Sequence, residues 1–119
     1  MTRLPDSVPR VIGTVLTDTA QTTLFTAVDG YAIPTDIHVT NITSTAANIT
    51  LEYSVVTAGT VYTLVYRYAV QPNGTGLHLS DDDGLGFQLA TGGTIRATAG
   101  TANALHVSLS VIEIAGRSG

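Results

Sequence analysis

From Ala47 to Val55, apolar and polar residues alternate one by one. The apolar positions are Ala47, Ile49, Leu51, Tyr53 and Val55. Because successive side chains of a β-strand point to opposite faces, this period places one face on a core and the other toward water. The segment is therefore predicted to be a strand of a sheet that is covered on one side.

Similar short segments fill most of the chain and are separated by turn residues such as Asp29-Gly30 and Gln71-Pro-Asn-Gly74. Strands are predicted over residues 11–19, 21–28, 33–42, 47–55, 60–70, 75–80, 85–89, 94–98 and 104–114. Turn signals roughly 8 to 12 residues apart are typical of all-β folds. We predict an all-β fold of about eight or nine strands, an antiparallel β-sandwich that is jelly-roll-like, with its strand order left open.

The length of 119 residues is that of a single domain. Residues 1–10 contain Pro5 and Pro9 without periodicity, which predicts an extended N-terminal arm. The β-sandwich domain is then expected over residues 11–115, with a flexible C-terminal tail over residues 116–119. The start lacks the apolar segment of a signal peptide, so we expect a protein that is made and used without secretion.

The composition argues against several partners. Charged residues are 12 % of the chain, about half the usual share of a soluble domain, and the net charge is −4. The five cationic residues are arginines scattered along the chain, whereas nucleic acids and anionic membranes attract clustered cations. We therefore expect no nucleic acid and no membrane as partner. Cysteine is absent, which excludes disulfides and thiolate metal sites.

Residues that could perform catalysis are few. No set of nucleophile, base and acid can be named, so we expect a protein that is not an enzyme and has no cofactor. His38, His78 and His106 each lie beside core-facing aliphatic residues of a predicted strand. They are expected to point to solvent or to an interface rather than to converge on a metal. The acidic run from Asp81 to Asp83 is interpreted as a solvated turn, and binding of a cation there stays open.

Three Asn-x-Thr triplets occur, and they begin at Asn41, Asn48 and Asn73. A chain with 20 threonines produces such triplets easily by chance. Without a secretory signal they would not meet the glycosylation machinery, so we do not expect them to be modified.

Two segments carry apolar residues on both faces. In residues 60–70 one set of alternate positions holds Tyr62, Leu64, Tyr66, Tyr68 and Val70, and the other holds Val61, Val65 and Ala69. Such a strand lies between two layers or is covered by another subunit. Near the end of the last strand the apolar set shifts to Ile112 and Ile114. That shift predicts a bulge, or a strand end whose second face is covered by something else.

The tyrosine-rich segment allows three interpretations. Tyr62, Tyr66, Arg67 and Tyr68 form the main concentration of aromatic and cationic residues. A tyrosine stripe could fill the sandwich core, with its hydroxyls at the rim. Tyrosine and arginine are also typical anchors of subunit interfaces. Exposed aromatic rings could alternatively form a platform for sugars.

The overall sequence pattern of residues 14–114 resembles that of the small Thr- and Ala-rich β proteins of tailed-bacteriophage virions. The residues that carry this resemblance are Thr22-Thr-Leu-Phe-Thr-Ala27, Gly30, Ile37-His-Val-Thr-Asn41, Ala46-Ala-Asn-Ile-Thr-Leu51, Gly92-Gly-Thr-Ile-Arg96 and Ala102-Asn-Ala-Leu-His-Val-Ser-Leu-Ser-Val-Ile-Glu113. The resemblance implies a jelly roll or a related β-sandwich without catalytic residues. Such a domain is usually a homotrimer bound to a virus particle.

The function implied is that of a capsid decoration (cement) protein on the outer surface of the virion, synthesised in the host bacterial cytoplasm. It would trimerise and bridge neighbouring subunits of the major capsid protein. A neck, collar or tail-fibre subunit is the alternative, followed by a carbohydrate-binding module. In the first case Tyr62, Tyr66, Arg67 and Tyr68 are expected at subunit contacts. An arm along the shell is expected to contain Arg3, Leu4, Pro5, Val8, Pro9 and Arg10.

Overall fold

The computed structural model of the chain describes residues 7–28, 30–72, 76–80, 85 and 87–114. These residues form eight strands. The strands are β1 (Ser7–Leu16), β2 (Thr22–Thr26), β3 (Tyr31–Asn41), β4 (Ala47–Ser54), β5 (Val61–Val70), β6 (Leu77–Ser80), β7 (Thr94–Ala99) and β8 (Leu105–Ile114). No helix occurs in these ranges, and so none that could cross a membrane.

The strands form two four-stranded sheets, ordered β1-β8-β3-β6 and β2-β7-β4-β5. Every pair of neighbouring strands is antiparallel. The first four strands pair with the last four in reverse order, so that β1 pairs with β8, β2 with β7, β3 with β6 and β4 with β5. A four-stranded antiparallel ribbon rolled in this way is a jelly roll. The predicted β-sandwich is confirmed, and its strand order is now defined.

The core between the sheets is aliphatic, as the period-two patterns of β4 and β8 predict. Ile49 and Leu51 of β4 and Leu109 of β8 are fully buried, whereas Asn48 and His106 are exposed. Phe25 is the one buried aromatic residue in the described part of the chain. The largest fully buried side chains are Leu16, Ile37, Val39, Ile49, Leu51, Val70, Leu85, Leu89, Ile95, Leu105, Leu109 and Val111.

The ninth predicted strand does not form. Leu85 and Leu89 are fully buried, as expected of core residues. Of the described residues in 85–89, however, only Leu89 pairs with another strand, through two backbone hydrogen bonds of 2.7 and 2.9 Å with Ala32. The segment thus supplies apolar side chains to the core without extending either sheet.

The first strand begins at Ser7, four residues before the predicted start. Val8, Pro9 and Arg10, expected in the extended arm, instead pair with β8. The Arg10 guanidinium also donates a 2.8 Å hydrogen bond to the carboxylate of Glu113. Pro9 is tolerated because β1 is an edge strand, where a missing N–H need not break the ladder. Arg3, Leu4 and Pro5, like the expected C-terminal tail, lie outside the described residues.

A buried asparagine closes the loop between β3 and β4. The Asn41 amide nitrogen donates hydrogen bonds to the carbonyl oxygens of Thr45 (2.8 Å) and Val70 (2.9 Å). Its amide oxygen accepts hydrogen bonds from the backbone N–H and the hydroxyl of Thr43. Asn41 is only 3 % exposed, so the first Asn-x-Thr triplet has a structural role and presents no acceptor for a glycan. Asn48 is exposed, and Asn73 lies outside the described residues.

A tight turn before β7 depends on Gly93. A Cβ atom at this buried position would lie 2.5 Å from the carbonyl oxygen of Val55 and 2.8 Å from that of Ser54. Because these contacts are with backbone, Gly93→Ala is expected to lower the free energy of unfolding by about 2–3 kcal/mol, measured by urea denaturation. Gly13→Ala is the control, since a Cβ there has no atom within 4 Å. Equal stability of the two variants would contradict the expectation.

Candidate subunit interface

The tyrosine-rich strand β5 is an edge strand, because it pairs with β4 alone. Its register against β4 shifts twice. Tyr68 lies opposite Ile49, but Val65 lies opposite Leu51 and Tyr62 opposite Tyr53. The expected division of residues 60–70 into two regular faces is therefore wrong, because each bulge reverses the alternation that follows it.

One bulge directs Tyr66 outward. Between the Leu51–Val65 and Ile49–Tyr68 pairs, two residues of β5, Tyr66 and Arg67, oppose the single residue Thr50 of β4. The Arg67 N–H donates a 3.0 Å hydrogen bond to the Thr50 hydroxyl, and the Arg67 backbone has a φ of 48°. The left-handed region is unfavourable for a residue with a Cβ and is found preferentially at functional positions. The guanidinium lies over the Tyr66 ring, 5.2 Å from its centroid.

The tyrosines of β5 are exposed. Tyr66 is 67 % accessible, Tyr62 49 % and Tyr68 48 %. The interpretation of these residues as a core stripe is wrong, because β5 lies at an edge and about half or more of each tyrosine side chain is exposed. The Tyr62 ring stacks on the Tyr53 ring, with ring centroids 5.3 Å apart. The Tyr53 ring also stacks on Phe87, with centroids 3.8 Å apart. We call the surface formed by Val61, Tyr62, Tyr66, Arg67 and Tyr68 the tyrosine edge.

The tyrosine edge favours contacts through side chains. Unpaired backbone groups at the edge of a sheet can accept another strand, but bulges twist an edge away from such pairing. Two register shifts and the left-handed Arg67 interrupt β5 in this way. Exposed aromatic rings with an adjacent guanidinium are the side chains that dominate protein interfaces. The surface is thus suited to binding another protein surface rather than an added strand.

A second apolar surface lies on the opposite side of the sandwich. Val8, Val11 and Val15 of β1 are 55, 72 and 49 % exposed. In the stacked sheets β1 lies beside β2 and β5 lies beside β3, which puts the two edge strands on opposite sides. Val11 and Val15 share the outer face of β1 and form the valine edge, whereas Val8 lies on the alternate face of the strand. Seven of the eleven exposed large apolar side chains in the described residues lie on β1 or β5, so apolar exposure is concentrated at the two edges.

The outer face beside the valine edge contains a hollow of about 270 Å³. Gly13 lies opposite Ser108 of β8, and these two small residues form the floor, while His38 of β3 lies opposite Ser108 on its other side. The next row contains Val15, His106 and Thr40, and these side chains line one wall. The hollow exists because position 13 has no side chain and its Cβ direction is open.

The shift of apolar positions in β8 lies beside a bulge, but the bulge is in the neighbouring strand β3, where the register shifts between Pro34 and Asp36 opposite Val111 and Ser110. The pairing of β8 with β1 is regular from Ser7 to Leu16. Ile112 lies between Pro9 and Ile33, and Ile114 lies opposite Tyr31, on the face away from the core. Tyr31 is 50 % exposed and the isoleucines are partly exposed. Tyr31, Ile33, Ile112 and Ile114 thus form an end patch, beside the point where the described chain begins and ends.

The histidines lie on one outer face, as their neighbours predict. His38, His78 and His106 are all exposed. His38 lies opposite His78 with ring centroids 5.8 Å apart, and the His78 imidazole contacts the Asp36 carboxylate. No group of three ligands suited to a metal ion occurs in the described ranges. The run from Asp81 to Asp83 lies outside these ranges, and cation binding there stays a question from the sequence.

The valine edge and the hollow were not predicted from the sequence, although the sequence contains a pattern that indicates them. Val11, Gly13 and Val15 occupy alternate positions, out of phase with the core-facing Ile12 and Leu16. That pattern places two valines and a glycine on the outer face of one strand. The depth of the hollow depends also on Ser108, and its position opposite Gly13 follows only from the pairing of β1 with β8.

Neither a protein-family model nor a curated protein sequence matches the chain. Among solved structures, the nucleoplasmin-like N-terminal domain of Drosophila FKBP39 is similar over 99 % of both chains, with a TM-score of 0.55 and 11 % identity. A structure of infectious bursal disease virus, Gx strain, is similar over 93 % of this chain, with a TM-score of 0.46 and 12 % identity. This chain spans 34 % of the length of that virus protein.

A pentameric capsid protein from metagenomic phage sequences is also similar, over 97 % of this chain and 66 % of its own, with a TM-score of 0.38 and 17 % identity. Viral proteins thus stand among the structural neighbours. At these identities the likenesses concern the fold alone, a β-sandwich that unrelated functions share.

Proposed function

We propose that this chain is a non-enzymatic structural protein of a phage virion, a decoration protein that trimerises on the outer surface of the capsid. It would bridge neighbouring subunits of the major capsid protein. A protein that binds only the assembled shell stabilises that state by mass action. Many such contacts on one particle add through avidity.

One observation carries the proposal: the apolar side chains exposed by this jelly roll are concentrated on two edge strands. An isolated soluble domain rarely keeps contiguous apolar surface uncovered. Tyrosine and arginine at the tyrosine edge are the residue types enriched at the centres of interfaces. These properties suit a subunit that is covered by copies of itself. The resemblance of the sequence to small virion proteins points in the same direction.

The contact with the shell is assigned to the end of the sandwich where β1 begins. Val8, Pro9 and Arg10 lie there on an edge strand, beside the end patch. Arg3, Leu4 and Pro5 precede this point in the chain. In this proposal the end patch supplies apolar area, and the arm supplies further contacts with the shell.

The proposed role of the N-terminal arm in binding the shell can be tested by deleting residues 2–6. This deletion leaves the β1–β8 pairing intact, whereas removal of residues 7–10 would damage the sandwich itself. We expect binding to purified capsid shells, measured by co-sedimentation, to weaken at least tenfold while the circular dichroism spectrum stays unchanged. A second variant that removes residues 116–119 is the control. Undiminished binding by the residue 2–6 deletion would contradict the role of the arm.

The position on the particle is tested by copy number. Quantitative mass spectrometry of purified particles would compare this 12.3 kDa chain with the major capsid protein. A near-stoichiometric ratio is expected for a decoration protein. A few dozen copies or fewer would instead favour the alternative of a neck, collar or tail-fibre subunit. Absence from particles, together with binding of the free chain to glycans, would favour a carbohydrate-binding module.

A further inference from the structure

We propose that copies of this chain associate head to tail, with Tyr66 of one copy inserted into the hollow beside Gly13 of the next. This inference rests on the proposed function in one respect, the self-association of the chain. It adds the two surfaces that meet and the side chain that anchors them.

The two surfaces are complementary in shape. Tyr66 is the most exposed of the three tyrosines of β5, and the bulge at Arg67 projects it from the edge. The hollow on the opposite side of the molecule measures about 270 Å³. The hollow is open to solvent, and its volume exceeds the roughly 150 Å³ of a closed cavity that holds a benzene ring. A rigid aromatic anchor in a pocket is the usual centre of a strong interface.

The distribution of apolar residues favours a copy of the same chain as the occupant. A two-fold contact through the tyrosine edge would cover Tyr62, Tyr66 and Tyr68 but leave the valine edge exposed. A contact between the tyrosine edge of one copy and the valine edge of the next covers both with one kind of interface. Contacts of this type close into rings when the rotation permits and extend into open assemblies when it does not.

The charges are also complementary. Arg67 adjoins Tyr66 and is exposed at the tyrosine edge. Asp36 lies two residues before His38 on the same outer face, outside the lining of the hollow, and its 45 % exposed side chain contacts His78. Insertion of Tyr66 therefore brings a guanidinium toward a face that carries this carboxylate.

Chemical cross-linking tests the inference cleanly because the chain has no cysteine. One variant carries Ala69→Cys, a small change at an exposed position of β5, and the other carries Val15→Cys at the wall of the hollow. With a short bis-maleimide, we expect covalent dimers when the two variants are mixed and allowed to exchange. Each variant alone should give at least tenfold less product.

The alternatives give different results. Efficient linking of Ala69→Cys to itself would show a two-fold contact and overturn the inference. Multimers of the wild-type chain without any cross-linked product would also overturn it, while leaving self-association intact. A wild-type chain that stays monomeric at all concentrations would contradict the self-association in the proposed function itself.

Filling the hollow gives an independent test. Gly13→Val adds a side chain that meets no atom of the same copy at its Cβ and suits a strand, so folding should be retained. We expect it to weaken self-association at least tenfold, measured by sedimentation velocity. Thr23→Val, on an exposed position of β2 in the other sheet, is the matched control and should associate normally. Normal association of Gly13→Val would contradict the use of the hollow.

Discussion

Asn41→Ala is expected to lower the free energy of unfolding by about 3 kcal/mol. The substitution removes the hydrogen bonds to the carbonyl oxygens of Thr45 and Val70 and from the N–H of Thr43. The bond to Val70 joins β3 to the end of β5 and is buried, and a buried group left without a hydrogen bond costs about 1–3 kcal/mol. Urea denaturation followed by circular dichroism would measure the change.

Asn48→Ala is the matched control for this prediction. Both asparagines begin an Asn-Ile-Thr triplet, but the Asn48 side chain is exposed. A change at Asn48 should stay within about 0.5 kcal/mol of the wild-type stability. Similar losses in the two variants would mean that the Asn41 network does not hold the loop between β3 and β4.

Tyr66→Ala is expected to weaken each contact between copies by about 2 kcal/mol, which corresponds to ~30-fold in the dissociation constant. The reason is that Tyr66 is the most exposed ring of the tyrosine edge and is proposed as its anchor. The stability of the protomer should change little, because the ring is 67 % exposed and lies outside the core. Sedimentation velocity over a concentration series would measure the association, and denaturation would measure the stability.

Tyr31→Ala is the control for Tyr66. Tyr31 is also half exposed, but it belongs to the end patch and lies on neither edge strand of the two sheets. The same truncation there should leave self-association unchanged. If both substitutions dissociate the protein equally, the tyrosine edge has no special role.

The elements with uninterrupted alternation were predictable from the sequence. In β4 and β8 every second residue is apolar, and the period selects the buried residues except at the end of β4, where Ser54 is buried and Tyr53 is only partly buried. The turn signals separated these strands correctly. Strand order was not predictable, because periodicity shows which face of a strand is buried but not which strand lies beside it.

The tyrosine edge shows where a prediction of strand faces from the period-two pattern alone is wrong. The sequence of β5 alternates well enough to predict a stripe, but the two bulges change the face on which its residues lie. A bulge in this strand depends on the hydrogen bond between the Arg67 N–H and the Thr50 hydroxyl of the neighbouring strand. Such a contact between strands cannot be derived from either segment alone.

The predicted boundary between the N-terminal arm and the first strand differs from the structure for another reason. Pro9 and the lack of periodicity suggested an unpaired arm through residue 10. Residues 7–10 instead pair with β8, and Val8, Pro9 and Arg10 are all exposed on this edge strand, so no alternation of buried and exposed residues marks the segment.

We propose that this chain is a structural subunit that associates with itself through its two edges. Sedimentation equilibrium of the intact wild-type chain from micromolar to millimolar concentration would measure this association. We expect a defined multimer, with three times the 12.3 kDa mass of the protomer for a trimer. A mass of 12.3 kDa throughout that range would show that the chain does not associate with itself.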